Sequence, residues 1–135
     1  MRLVVDSNVV FAALIAQNYS LDLLFNDEFQ FIAPEFIRIE IEEHKDEIQK
    51  KAGLTGDELQ TLLNAVFRYV KLIPKEEYGK FKTKAKAISP DKDDWPFFAL
   101  AIRESCPILS NDKMLKQQSE VAVYSVHELT DQKQP

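Results

Sequence analysis

A short apolar run near the start of the chain stops abruptly at three polar residues, and this feature constrains the fold more than any other. The run Leu3–Val5 has the composition of a strand that is buried on both faces. Asp6, Ser7 and Asn8 follow it at once, and the apolar stretch Val9–Leu14 comes next. In open α/β folds ligands bind where the carboxyl ends of strands meet, so these polar residues are candidates for a site.

The same arrangement recurs near the other end of the chain. The segment Pro107–Ser110 has the pattern of a short strand, and Asn111 and Asp112 follow it directly. Two strands that both end in an aspartate suggest one site built from both.

Size and composition indicate one ordinary domain. The chain has 135 residues, of which 45% are apolar and 29% charged, a profile typical of soluble globular proteins. We expect a domain over residues 1–130 and a loose C-terminal tail over residues 131–135. The apolar runs are too short to span a bilayer, and the single cysteine, Cys106, excludes an internal disulfide. We therefore expect a cytoplasmic protein with no membrane contact.

The charge of the chain limits its contacts with nucleic acid. A net charge of −5 argues against a protein that coats nucleic acid, because such binding needs a basic face. It does not argue against a nucleic-acid enzyme, since acids gathered at a metal site would carry much of that charge. Six lysines form a local cluster with two interpretations, a solvated helix face or a ridge that contacts phosphates. They are Lys71, Lys75, Lys80, Lys82, Lys84 and Lys86.

Alternating strand-like and helical patterns predict the fold class. Such alternation is typical of a parallel sheet with helices on both faces. We therefore predict a single three-layer α/β/α domain around a mainly parallel sheet of about five strands. The strand-like runs are Leu3–Val5, Phe29–Ala33, Val70–Ile73, Ile108–Ser110 and Val121–Val126.

Local signals mark where three of the helices begin or end. A long helix is predicted over Pro34–Ala52, with Gly53 just past its end. Thr55–Glu58 has the sequence of a capping box for the next helix. Asp93–Pro96 is typical of a helix start, and the apolar residues after it predict a central, buried helix.

Acidic residues at these predicted strand ends and helix starts are the candidates for chemistry. Each acid alone is more often a cap, a turn residue or a surface charge. Gathered together they would repel one another unless a cation compensated them, and carboxylate oxygens suit Mg²⁺ or Mn²⁺. One cysteine and two separated histidines make zinc a poorer fit. The candidates are Asp6, then Glu40, Glu42 and Glu43, then Asp91, Asp93 and Asp94, and finally Asp112.

In these motifs the chain resembles PIN-domain nucleases, and in particular the VapC-type ribonucleases of prokaryotic toxin–antitoxin pairs. The resemblance extends from Arg2 to about Leu129. It rests on the order of four motifs: a strand followed by Asp-x-Asn, a Pro-led helix with an internal Glu, an Asp-x-x-Asp before an apolar helix, and a strand that ends in Ser-x-Asp. Here they are Val4–Val9, Pro34–Ile41, Asp91–Ala101 and Ser110–Asp112.

The resemblance implies which residues form the site. The metal-binding and catalytic acids would be Asp6, Glu40, Asp94 and Asp112. The residues that would support them by hydrogen bonding or added charge are Ser7, Asn8, Asp91 and Ser110.

Several alternatives stay open at this point. Glu43 lies one turn after Glu40 on a similar helix face and is the competing helix ligand. Met114 occupies a position where some family members carry a further acid. The number of bound metal ions, one or two, therefore stays open. Trp95 either packs beside Pro96 against the next helix or stacks on a base, and His44 either pairs with a nearby acid or joins the site.

The resemblance also implies a function. We expect a Mg²⁺- or Mn²⁺-dependent endoribonuclease that hydrolyses phosphodiester bonds in RNA, with an antitoxin protein and a second copy of the chain as candidate partners. The alternative is a catalytically silent PIN-like module that binds RNA or a protein. A phosphoacceptor receiver domain fits less well, because it needs adjacent acids after the first strand, where this chain has Asp6 and Ser7.

Overall fold

The computed structural model describes residues 1–131 and contains a five-stranded sheet. Its strand order is β3-β2-β1-β4-β5, and every pairing between these strands is parallel. The first strand of the chain therefore lies at the centre of the sheet. The strands are β1 (Arg2–Val5), β2 (Gln30–Pro34), β3 (Val70–Ile73), β4 (Ile108–Leu109) and β5 (Val123–Tyr124).

Helices connect these strands on both sides of the sheet, and three short 3-10 turns cover Gly79–Phe81, Lys92–Asp94 and Lys113–Lys116. Within residues 1–131 no helix is both long and apolar enough to cross a membrane. The helices are α1 (Ser7–Ala16), α2 (Tyr19–Leu24), α3 (Ile37–Glu43), α4 (Lys45–Ala52), α5 (Gly56–Tyr69), α6 (Lys75–Tyr78), α7 (Lys82–Ile88), α8 (Trp95–Glu104) and α9 (Val126–Asp131).

The central strand β1 contributes to both halves of the core. Leu3 and Val5 belong to the apolar cluster on one face, whereas Val4 belongs to the cluster on the other face. All three side chains are fully buried. Alternate residues of a strand point to opposite faces, so an apolar run without a polar gap needs cover on both sides. The predicted three-layer α/β/α class with a parallel five-stranded sheet is confirmed.

Two of the predicted helix starts are confirmed in detail. The Thr55 hydroxyl accepts a hydrogen bond from the Glu58 amide at 3.1 Å, and the Glu58 carboxylate accepts one from the Thr55 amide at 2.9 Å. Helix α8 begins at Trp95 after Asp94, with Pro96 in its first turn. Its residues 96–101 are all buried, so α8 is the central helix that its apolar sequence predicts.

The long helix predicted over Pro34–Ala52 is wrong in two respects. Pro34 belongs to β2, where it pairs with Ile73, and the first helix starts only at Ile37. The backbone then leaves the helical path at His44, which separates α3 from α4. No residue from 42 to 47 is buried, and the His44 ring at the break lies edge-on to Phe11, with 5.4 Å between the ring centres. Gly53 ends α4 in the left-handed conformation, as predicted.

The end of the chain also differs from the prediction. The strand predicted over Val121–Val126 is reduced to two residues, because a second capping box starts a helix there. The Ser125 hydroxyl accepts a hydrogen bond from the Glu128 amide at 3.1 Å, and Glu128 accepts one from the Ser125 amide at 3.0 Å. Asp131, predicted to open the tail, ends α9, and residues 132–135 lie outside the described residues.

Candidate metal centre

The parallel sheet brings the predicted acids to one edge. Asp6 follows the carboxyl end of β1, and its amide still donates to the Leu109 carbonyl of β4 at 2.9 Å. Asp112 lies three residues beyond Leu109. Glu40 is carried by α3, which follows β2, and Asp94 immediately precedes α8. Four separate elements therefore supply the four acids.

The hydroxyl of Ser110 connects the ends of β1 and β4. It donates a hydrogen bond to the Asp6 carboxylate at 2.7 Å, and both residues are buried. The same oxygen accepts from the Asn8 side-chain amide at 3.4 Å and from the backbone amide of Asp112 at 3.0 Å. Three residues predicted as parts of the site therefore meet at Ser110, which fixes the orientation of Asp6.

Glu40 lies on the inner side of α3, whereas Glu43 is exposed. The Ser7 hydroxyl donates to one Glu40 oxygen at 3.2 Å. The other Glu40 oxygen is buried and, among the described residues, has no hydrogen-bond partner, and the same holds for the side-chain oxygen of Asn8. A buried oxygen without a partner is costly unless a cation or water satisfies it. These observations favour Glu40 over Glu43 as the ligand on this helix.

Burial and mutual repulsion both act on the four acids. Burial raises the pKa of Glu40 to about 7, with further increases from the charges of Asp6 and Asp94. Burial likewise raises the pKa of Asp94 to about 7, with contributions from Asp6, Asp91 and Asp112. The pKa of Asp6 is also raised, again mainly by burial, although its hydrogen bond from Ser110 opposes this. The charged forms of these carboxylates are therefore disfavoured in the metal-free protein, mainly by burial and secondly by repulsion.

The four acids are nevertheless not arranged close enough to one another to coordinate a metal ion together. Within the described part of the chain, no three Asp, Glu, His or Cys side chains are close enough together to hold a metal ion. The chemistry of the donors still fits a hard divalent cation, because all four acids offer oxygen and one buried Glu40 oxygen has no hydrogen-bond partner in the part of the chain that the structure describes. Mutual repulsion is a physical reason for carboxylates to stay apart until a cation compensates them.

Asp112 and Asp91 have structural roles in addition to their place at the site. One oxygen of Asp112 accepts from the Met114 amide at 3.0 Å and caps a 3-10 turn. One oxygen of Asp91 accepts from the Asp93 amide at 3.0 Å in the same manner. Both acids are exposed. Met114, where a fifth acid would stand, is an exposed apolar side chain.

Residues that the sequence did not assign to the site line a cleft beside Glu40 and Asp94. The cleft has a volume of about 880 Å³ and lies between α3, α6 and the start of α8. Trp95 lines it and packs against Tyr78 at the end of the preceding helix α6, with 5.9 Å between the ring centres. The sequence signal that pointed to this cleft is that Trp95 directly follows Asp94, a predicted residue of the site. His44 lies outside this cleft, and its ring is 3.5 Å from the Glu47 carboxylate.

Comparisons with known proteins agree with this architecture. A family model described as the PIN domain matches residues 4–129. Among solved structures, VapBC2 from Rickettsia felis, bound to a DNA fragment from their promoter, is similar with a TM-score of 0.66 and 16% sequence identity. The match covers 93% of this chain and 98% of that chain, and at this identity it supports the fold alone. Among curated proteins, none matches this chain by sequence.

Proposed function

We propose that this chain, which belongs to the PIN-domain family, is a Mg²⁺- or Mn²⁺-dependent endoribonuclease of the VapC toxin type. One observation carries the proposal: a buried Glu40 oxygen, beside acids that repel it, has no hydrogen-bond partner within residues 1–131. A site built only for stability would pair that oxygen, because an unmet hydrogen bond costs roughly 1–3 kcal/mol. The cytoplasm, where cellular RNA is found, is the proposed place of action.

The proposed ligands are Asp6, Glu40, Asp94 and Asp112, from four separate elements. A bound divalent cation would supply charge that stabilises a phosphodiester transition state and would lower the pKa of a nearby water. Ser7 and Ser110 hold Glu40 and Asp6 in fixed orientations. Asp91 adds negative charge beside Asp94.

The reaction that fits these residues is hydrolysis. Water attacks the phosphorus in line, a phosphorus–oxygen bond forms, and the bond to one ribose oxygen breaks. A carboxylate of the site accepts the proton of the water, and the leaving ribose oxygen takes up a proton. The pKa values of about 7 for Glu40 and Asp94 belong to the metal-free protein, and a bound cation would lower them by favouring the charged carboxylates.

The alternative is a catalytically silent PIN-like module that binds RNA or a protein. It is favoured by one observation, the engagement of Asp112 as a cap for the Met114 amide. In such a module the acids would serve as caps and surface charges, and removing them would alter stability rather than any reaction.

Partners are proposed from the likeness to VapBC2, whose structure contains a DNA fragment from their promoter. By analogy we place this chain in a pair with an antitoxin protein, and we expect two copies of the chain to associate. Co-expression with the protein encoded next to it, followed by size-exclusion chromatography with light scattering, tests both points.

Cleavage of a pooled single-stranded RNA tests the function. The protein with Mg²⁺ or Mn²⁺ should cut RNA internally, EDTA should stop the reaction, and DNA of the same sequences should stay intact. Glu40→Gln should lower the rate by about 10²-fold or more, because charge and ligand are lost together. Glu42→Gln on the same helix is the matched control, since Glu42 is exposed and does not line the cleft. Equal cleavage by the wild type and Glu40→Gln would favour the silent module.

A further inference from the structure

The cleft beside Glu40 and Asp94 has a second group of residues with a different chemistry. Lys75 on α6 and Lys82 on α7 line it together with Trp95. The ammonium nitrogen of Lys82 lies 5.0 Å from the centre of the Trp95 ring, and that of Lys75 lies 5.9 Å from it. Two cations from different elements therefore meet at one aromatic ring.

The side chain of Tyr78 supports the Trp95 ring. It is half-buried and packs against Tyr78, whose side chain is only 2% exposed, at an angle of 53° between the ring planes. Trp95 also follows Asp94 directly in the chain, so the first turn of α8 connects the ring rigidly to a proposed metal ligand. A fixed aromatic surface next to a reaction centre is suited to orient a substrate.

The charges of the two lysines are not paired with a carboxylate among the described residues. Within residues 1–131 neither Lys75 nor Lys82 forms an ion pair with a carboxylate, although Glu76 also lines the cleft. By contrast, Lys51 and Lys116 pair with Glu47 and Glu128. Both cleft lysines are exposed, so their ammonium groups are available to an anion from solvent.

An aromatic ring with two ammonium groups close to it matches a nucleotide, which joins a stacking base to a negative phosphate. We propose that Trp95, Lys75 and Lys82 form a subsite for one unpaired nucleotide beside the scissile phosphate, with its base on the indole and its phosphate at the lysines. The assignment of this nucleotide to RNA rests on the proposed ribonuclease function. A base within a duplex presents no free face to the indole, so the substrate is single-stranded at this position.

The subsite gives distinct roles to members of the lysine cluster. Lys84 is on the same helix as Lys82 but lines a different cavity, at the end of the sheet where β4 begins. It therefore serves as a matched control with the same charge on the same helix. Lys80 lies over Phe81, with 5.9 Å from its nitrogen to the ring centre, and does not line the cleft.

Trp95 is the only tryptophan of the chain, so its fluorescence reports on this subsite alone. The Asp112→Asn variant, in Mg²⁺, is titrated with a short single-stranded RNA and with an abasic RNA of equal length. Asp112 does not line the cleft, and this variant keeps the RNA intact under the proposed function. We expect the RNA to quench the fluorescence, and the abasic strand to bind about tenfold more weakly with little quenching.

The salt dependence of binding tests the lysines. In the same background, Lys75→Ala and Lys82→Ala should each reduce the slope of log K against log salt by about 0.7, whereas Lys84→Ala should leave it unchanged. Trp95→Phe should retain most of the affinity and Trp95→Ala should lose about tenfold, measured by anisotropy of a labelled RNA.

Three results would overturn the subsite: absence of RNA binding, binding without quenching, or equal affinity for the abasic strand. A slope change in Lys84→Ala as large as in Lys82→Ala would remove the specific role of the lysines. Cleavage is read separately on a gel with the wild type. Quenching without cleavage would contradict the ribonuclease function alone, and cleavage without quenching would contradict the subsite alone.

Discussion

The hydroxyl of Ser110 donates a hydrogen bond to the buried carboxylate of Asp6 across two neighbouring strand ends, at 2.7 Å. This bond opposes the rise in the Asp6 pKa that burial causes. A hydroxyl at the end of β4 therefore helps to keep the acid at the end of β1 charged. The charged form is the one that binds a metal.

Replacing Ser110 with alanine should weaken metal binding by about tenfold or more, since outer partners of metal ligands commonly contribute that much. The pKa of Asp6 should rise further once the bond is lost. Isothermal titration with Mn²⁺ measures the affinity. Ser20→Ala is the control, because Ser20 is a buried serine on α2, away from the cleft. Unchanged Mn²⁺ affinity in Ser110→Ala would remove Ser110 from the site.

Replacing Asp6 or Asp94 with asparagine should leave the metal-free protein as stable as the wild type or slightly more stable. Each change removes one of the repelling charges that contribute to the raised pKa of Glu40. The same variants should lose cleavage by about 10²-fold or more. Thermal unfolding in EDTA gives the stability. Marked destabilisation of both variants would identify these acids as structural caps.

The stability of the metal-free protein should fall as pH rises from 5.5 to 8. Glu40 has a pKa of about 7 in the fold against an ordinary value of 4.5, so the native state holds more protons than the unfolded chain between those values. The contribution of Glu40 to the free energy of unfolding is complete below pH 4.5 and is lost as pH rises through 7. Asp94, also at about 7, acts in the same direction.

Differential scanning calorimetry in EDTA measures this dependence. The variant Glu40→Gln should show a flatter decline of Tm between pH 5.5 and 8, whereas Glu42→Gln should behave as the wild type. Added Mn²⁺ should reverse the trend, because it binds the deprotonated acids and stabilises the native state more at pH 8. A Tm that rises with pH in EDTA, equally in all three proteins, would contradict the electrostatic account.

The capping box of α5 should affect stability and leave the proposed activity unchanged. Thr55→Ala removes the hydroxyl that accepts from the Glu58 amide at 3.1 Å, and should cost about 1 kcal/mol. Urea unfolding measures the loss, and cleavage at a temperature well below the unfolding transition measures the activity. A large loss of activity in the folded variant would mean that α5 is coupled to the site.

The sequence predicted most reliably those features that depend on neighbouring residues. The run Leu3–Val5 and the Thr55–Glu58 box each carry their structural signal within a few positions, and both predictions are confirmed. The break at His44 lacks such a signal, because an apolar stripe through Ile37, Ile41 and Ile48 fits one straight helix equally well.

The acids were predictable as a set, whereas the cleft beside them was not. Asp6 and Asp112 follow strands, and the carboxyl ends of parallel strands share an edge by topology. The meeting of Lys75, Lys82 and Trp95 depends on how α6, α7 and α8 pack together, which no local pattern records. The Ser125–Glu128 box is present in the sequence, but the apolar residues just before it favour a strand.

The central place of β1 in the sheet has a consequence for hydrogen exchange. Asp6 and Ser110 lie at the ends of β1 and β4, and their amides are bonded to Leu109 and Tyr124 of the neighbouring strands, so we expect these amides to exchange slowly with solvent. Glu40 belongs to a seven-residue helix that ends at the His44 break and is anchored to the core by Ile37 and Ile41. We therefore expect faster amide exchange in this short helix than at the strand ends that carry Asp6 and Ser110.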